Sequence, residues 1–226
     1  WSSDVCSSDL FLISETGGVN ALPIIALISF LIGLIMAFQA AIPMRQFGAE
    51  IFVADLIALS TLRELGPLMT AIVMAGRTSA AFAAELGTMK VNEEIDAMST
   101  MGLDPVRFLV VTRVIAILIM MPLLTIFANL LGIIGGSVVL LSLGYPLVTY
   151  VDRIIISASY VDLLGGLFKS LAFGLIVAGI GCSRGLQTKT GASAVGVSTT
   201  KAVVSGFVLI IITDGIFSVV YFYLGI

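Results

Sequence analysis

Residues 22–43 read LPIIALISFLIGLIMAFQAAIP, an apolar run without a single charged side chain. A helix needs about 20 mostly apolar residues to cross the hydrocarbon layer of a bilayer. Residues 22–42 supply that run, and Pro43 closes it. The whole chain shares this character: of its 226 residues 59% are hydrophobic and 11% charged, with a mean hydropathy of +1.17. Soluble domains are about half apolar and about a quarter charged. So few charges cannot cover a water-facing surface, and the bilayer must be the solvent for much of the chain.

Four further apolar runs follow, at 56–86, 110–143, 163–182 and 202–224. The second carries Arg63, Glu64, Arg77 and Glu85. The third is too long for one perpendicular span, so it must tilt, extend beyond the bilayer or kink at Pro122. A polar connection fills 44–55, a charged segment 87–107, and a connection with Tyr145, Pro146, Asp152 and Arg153 fills 144–162. A Gly/Ser/Thr-rich linker is expected over 183–200. This pattern predicts an all-α integral membrane protein of five spans, forming one domain over 11–226. The first ten residues, WSSDVCSSDL, are polar and lack a signal-peptide core. They are set apart, with Cys6, as a non-native or truncated segment.

Positive charge sets orientation. Lys90, Arg107, Arg113, Arg184, Lys189 and Lys201 flank spans 2–3 and 4–5, whereas Arg45 and Arg153 flank spans 1–2 and 3–4. The first group is expected in the cytoplasm, which puts the C-terminus outside. A net charge of −3 gives no basic footprint for nucleic acid. With no histidine and two distant cysteines, the composition argues against a zinc or haem site. No phosphate-binding loop of the G-x-x-x-x-G-K-[ST] form occurs, so an ATP motor would have to reside in another chain. No catalytic residue and no cofactor of this chain are expected.

Residues 91–101 read VNEEIDAMSTM. Val91, Ile95, Met98 and Met101 fall on one helical stripe, and Glu93, Glu94 and Asp96 on the other face. Such a helix either lies on the headgroups or docks a cytoplasmic partner; its acidic face weakens the first reading, because anionic lipids repel carboxylates. Arg63 and Glu64 either snorkel at an interface or border a polar mouth. Lys169 and Asp214 lie deep in apolar runs, where isolated charges are costly. A Lys169–Asp214 pair is the modest reading and a proton relay the sharper one. Gly132 and Gly136 in span 3, and Gly181 and Gly185 in span 4, make G-x-x-x-G spacings that pack helices within one subunit or across a dimer seam.

The stretch Glu64-Leu65-Gly66-Pro67, Ala75-Gly76-Arg77, Ala84-Glu85-Leu86-Gly87-Thr88-Met89, Glu93-Glu94-Ile95-Asp96-Ala97-Met98 and Asp104-Pro105 resembles the MlaE (YrbE) permease family. The likeness runs on through Pro122-Leu123 and Gly135-Gly136 and covers about residues 11–226. It implies the permease subunit of an ABC transporter that carries phospholipids or related lipids across a bacterial envelope from the inner membrane. It also implies a homodimer, a cytoplasmic P-loop ATPase below and an MCE-domain lipid-binding protein above. In that family 91–101 would be the coupling helix, with Val91, Glu93, Glu94, Ile95, Asp96 and Met98 meeting the ATPase. The lipid would lie between spans 1, 2 and 5, which by position implies Phe30, Leu34, Phe38, Leu65, Met69, Ile72, Ile211 and Phe217. Gln39 would add a polar group near one end. The family begins with a longer interfacial helix, of which 11–20 would be the remainder. Two other classes stay open: an ion-coupled secondary transporter using Glu64, Lys169 and Asp214, and a scaffold that needs only the glycine faces. Internal repeats, common in the former, are not found.

Overall fold

The computed structural model describes residues 3–189 and 191–225. Trp1 and Ser2 of the N-terminal segment, Thr190 of the expected linker and Ile226 lie outside them. Among the described residues there is no strand, and five helical stretches are long and apolar enough to cross a membrane. The chain is therefore an all-α integral membrane protein. It divides into two compact units. The first takes Trp1–Ala21, Ala71–Met121 and Leu171–Val219; the second takes Leu22–Thr70, Pro122–Ser170 and Val220–Ile226.

Helix α1 (Ser3–Gly17) begins inside the polar segment that the sequence sets apart. Helix α2 (Leu22–Gln46) buries Ile25, Ser29, Gly33, Ala37 and Ala41, every fourth residue, while Leu27, Leu31 and Ile35 on its other faces stay exposed. A stripe of small residues at that spacing admits another helix closely; in lipid, where apolar surface gains nothing from burial alone, such packing does most of the holding. Gly48, at φ 65, ends the helix in a left-handed turn that a side chain would strain.

The second span is composite. Helices α3 (Val53–Ser60), α4 (Gly66–Met74) and α5 (Ala80–Val91) are joined by single π-turns at Thr61–Leu65 and Ala75–Ser79. Pro67 has no N–H to donate, and a widened turn just before it relieves the crowding its ring would cause. The third span is α7 (Val111–Ser142), preceded by a π-turn at Val106–Val110 and unbroken at Pro122. The fourth and fifth are α9 (Tyr160–Leu186) and α10 (Ala192–Leu224).

Three expectations need correction. The expected linker over 183–200 is mostly helix, continuing α9 to Leu186 and opening α10 at Ala192. Its hydroxyls bond back to their own helix, as Thr199 and Thr200 do to the Gly196 carbonyl at 2.7 and 3.0 Å, so they no longer oppose it. The connection 144–162 contains α8 (Leu147–Ser157). The single helix expected over 91–101 is broken: Val91 ends α5, Glu93 sits at φ 62, and α6 covers only Glu94–Thr100.

In the second unit Ala37, Val53, Ala54, Ile57, Leu140 and Tyr150 form a core. Tyr150 donates to the Ile133 carbonyl at 2.8 Å, and burial pushes its hydroxyl up, so it stays a donor. Arg153 reaches Asp55 at 3.0 Å and lies over the Phe52 ring, which pins α8 to α3. Gly132 and Gly135 of α7 meet the backbone of α2 at Gly33 and Phe30, so this G-x-x-x-G region packs within the chain. In the first unit Thr78 donates to the Gly17 carbonyl at 2.7 Å, tying α1 to the second span. Gly181 and Gly185 of α9 lie against Ser79 and Leu86.

Candidate functional site

The charges of the second unit gather around the first π-turn. Arg63 and Glu64 sit on it, half-exposed. Gly166 of α9 lies against the Leu62 carbonyl, where any Cβ would collide, so α9 comes close to this turn. One turn further along α9, Lys169 then points at Glu64: its Nζ lies 2.6 Å from Glu64 Oε2. Lys169 is 0% exposed and stacks near the Tyr221 ring, whose hydroxyl donates to the Gly165 carbonyl at 2.8 Å. Arg63 pairs with Asp162 at 3.4 Å. Asp162 also accepts from the Ser159 N–H at 3.0 Å, within the first turn of α9, where a helix dipole favours a carboxylate.

The expected partner of Lys169 was Asp214; within its own unit Lys169 pairs with Glu64. Asp162 was missed. The signal was its spacing of seven from Lys169, which sets both on one face of α9. The π-turn was missed as well, although Pro67 just beyond Arg63 and Glu64 hints at it. Such turns recur at functional sites, because they swing side chains out of helical register.

The pair can be measured. Glu64→Gln leaves the buried ammonium with one carboxylate fewer, and is expected to cost about 2–4 kcal/mol. Adding Lys169→Met should recover most of that loss in unfolding of the detergent-purified protein. Identical losses in the single and double variants would mean that the two groups are not coupled.

The candidate lipid residues divide between the units. In the second, Phe30 and Leu34 are half-buried on α2, and Phe38 and Gln39 are exposed. Leu65 and Met69 line a crevice of about 10 Å³ with Ser29, Gly33, Thr61 and Gly132, room for one water and no acyl chain. Nearby Asn129 is buried, and its amide oxygen and nitrogen have no hydrogen-bond partner among the described residues. In the first unit Ile72 and Phe217 are half-buried and Ile211 is exposed. Helix α10 is the least covered of the spans: 11% of its most apolar stretch is buried within the chain, against 28–44% for the others.

The candidate coupling segment is in the first unit. On α6 Ile95 is buried and Met98 half-buried, whereas Glu93, Glu94 and Asp96 are exposed. Val91, the first residue of the expected stripe, lies on α5 instead, and Met101, the last, is exposed. Lys90 bonds Asp96 at 2.8 Å and Asn92 bonds Glu94 at 3.3 Å, which hold α6 against the end of α5. The left-handed Glu93 turns the chain sharply between them. Its conformation is one that side chains other than glycine and asparagine rarely adopt. The result is a short, braced helix carrying a row of carboxylates.

The chain matches the family model described as Permease MlaE over residues 13–220. It is 37% identical over 198 residues to a "probable ABC transporter permease protein" of Rickettsia typhi, covering 87% of this chain and 76% of that one. It is 34% identical over 211 residues to the "intermembrane phospholipid transport system permease protein MlaE" of Haemophilus influenzae, covering 92% of this chain and 80% of that one. It is 35% identical over 209 residues to the chloroplastic protein TRIGALACTOSYLDIACYLGLYCEROL 1 of Arabidopsis thaliana, covering 92% of this chain and 60% of that one.

Proposed function

Because this chain belongs to the MlaE permease family, we propose that it is the membrane-spanning subunit of an ABC transporter that moves phospholipid, or a related lipid, between membranes of a bacterial envelope. The observation that carries this reading is the family match over 13–220, which reaches all five spans and takes in α6. The relative in Haemophilus influenzae bears a phospholipid-transport name, which supplies the cargo class. The chain would reside in the inner membrane.

Three partners belong to the proposal. A second copy would cover α10, whose exposed Ile211, Ile212, Ile216 and Val219 otherwise meet only lipid. A cytoplasmic P-loop ATPase would meet α6, since the sequence holds no phosphate-binding loop of its own. An MCE-domain protein would receive or deliver lipid on the outer side. With α6 in the cytoplasm, the Lys/Arg balance leaves the C-terminus outside.

The lipid would be held by Phe30, Leu34, Phe38, Leu65, Met69, Ile72, Ile211 and Phe217, with Gln39, Arg63 and Glu64 as the polar groups. Acyl chains need an apolar wall and a headgroup a few polar partners. A crevice of about 10 Å³ beside Leu65 and Met69 cannot supply that room. Exposed Phe38 fits a wall completed by the second copy. A photocrosslinker at Phe38 or Leu65 is expected to capture phospholipid from vesicles well above one at Phe127, an exposed residue of α7. Equal capture at the three positions would remove this wall from the transport path.

A further inference from the structure

Between Asp162 and Asp214 the sequence contains Lys169, Arg184, Lys189 and Lys201 and no carboxylate. Lys169 is buried in the second unit; the other three gather at the turn from α9 to α10, in the first. Arg184, Lys189 and Lys201 line one cavity of about 470 Å³ with Gln187, Val197 and Ser198. Among the described residues no carboxylate pairs with any of the three. A second cavity, of about 430 Å³, shares Arg184 and Gln187 with the first and continues along the helices between Gly179, Ile180 and Leu209. Arg184 stands where the two meet, and it donates to Ser205 Oγ at 2.9 Å on the apolar side.

Thr188, just beyond α9, is held in place. Buried Thr188 bonds Ser198 Oγ at 2.9 Å and the Arg184 carbonyl at 3.3 Å. Gly87 of α5 lies against Thr188, and a Cβ there would come within 2.9 Å of its hydroxyl. Three cations held together without a counter-ion repel one another and favour an anion among them. Arginine offers two parallel donors to a phosphate oxygen pair, and lysine adds point charge. The adjoining groove sets Gly179, Ile180 and Leu209 beside Ser183 and Ser205, so an acyl chain would lie along Ile180 and Leu209 while the headgroup stays at Arg184. Basic pockets between transmembrane helices on the cytoplasmic side take anionic lipid headgroups, and the same three residues are part of the charge bias that places this turn there.

We propose that the α9–α10 turn is a second lipid site, which binds the phosphate of an anionic phospholipid between Arg184, Lys189 and Lys201 and lays an acyl chain against Ile180 and Leu209. It shares no residue with the proposed transport path.

The test reconstitutes the full chain, with a photocrosslinker at Val197, in mixed vesicles of phosphatidylglycerol and phosphatidylcholine. The ratio of phosphatidylglycerol to phosphatidylcholine captured should exceed their ratio in the bilayer by about tenfold, the size expected when two or three basic groups act together. Lys189→Gln with Lys201→Gln should abolish that preference, whereas Lys189→Arg with Lys201→Arg should keep it. Both variants are checked for an unchanged elution profile. A crosslinker at Phe38 reads the proposed transport path in parallel, and its capture should not respond to either variant, so failure of one site is distinguishable from failure of the other. Equal capture of the two lipids at Val197, or a preference that survives the glutamine variant, overturns the proposal. Displacement by excess inorganic phosphate also overturns it, in favour of a soluble anion.

Discussion

Replacing Gly135 with leucine is expected to abolish the folded protein, and alanine at the same position to destabilise it severely. Gly135 and Gly132 of α7 face α2 so closely that a Cβ on Gly135 collides with the Phe30 carbonyl, and one on Gly33 with the Gly132 carbonyl. Both obstacles are backbone. A long side chain can swing away from an added methyl group, but a helix carbonyl cannot without moving the helix. Overpacking a dense interior costs about 1–3 kcal/mol even where side chains can adjust. Here the whole crossing must open, against a total stability of about 5–15 kcal/mol. Separation would also forfeit the dispersion contacts that hold helices together in lipid. Gly215→Ala on α10 is the control: nothing lies within 4 Å of its added Cβ, and alanine favours a helix over glycine by about 1 kcal/mol. The measurement is the yield of monodisperse protein in detergent and its unfolding temperature. Gly135→Ala behaving like Gly215→Ala would mean that the α2–α7 crossing is looser than this geometry requires.

The spans were legible in the sequence because twenty apolar residues in a row have few alternatives. Their ends were less so. Ser, Thr and Gly over 183–200 look like a linker by composition, yet in a membrane protein such small residues also pack closely: Gly185 of α9 against Leu86 of α5, and Thr188 just beyond α9 against Ser198. Helix α8 was hidden because its inward side is held by a few specific groups, Tyr150 and Arg153, and not by a long apolar run. The polar site was half legible. Charge in an apolar run marks Arg63, Glu64 and Lys169 as needing partners. Which partner each finds depends on Gly166 and the π-turn at Thr61–Leu65, which set the approach of α9. Nothing local to Lys169 encodes that choice. Glu93 was equally opaque: its place on the 91–101 helical wheel is regular, and only the backbone reveals the left-handed break.

That break also decides where the proposed coupling role is tested. A proline at Asp96 would fall in the first turn of α6, whose N–H groups have no partner within the helix, and would be tolerated. Ala97 is the first useful position. Its N–H donates to the Glu93 carbonyl at 2.9 Å, and its side chain is exposed, so Ala97→Pro removes a helix bond without emptying a packed site. A proline beyond the first turn costs about 3 kcal/mol. In a seven-residue helix, held to its neighbours by Ile95, Met98 and the Lys90–Asp96 pair, that is enough to unwind it. The expected result is loss of ATPase co-purification and of lipid transfer in proteoliposomes, while the five spans still insert. Asp96→Asn breaks only a largely exposed ion pair, worth at most about 1 kcal/mol, and should leave the ATPase bound. Glu93→Gln and Glu94→Gln remove rim charges, so they should slow association more than they weaken the complex. If Ala97→Pro leaves both the ATPase and lipid transfer intact, α6 is not the docking element. It then lies on the headgroups, with Ile95 and Met98 turned inward for packing alone.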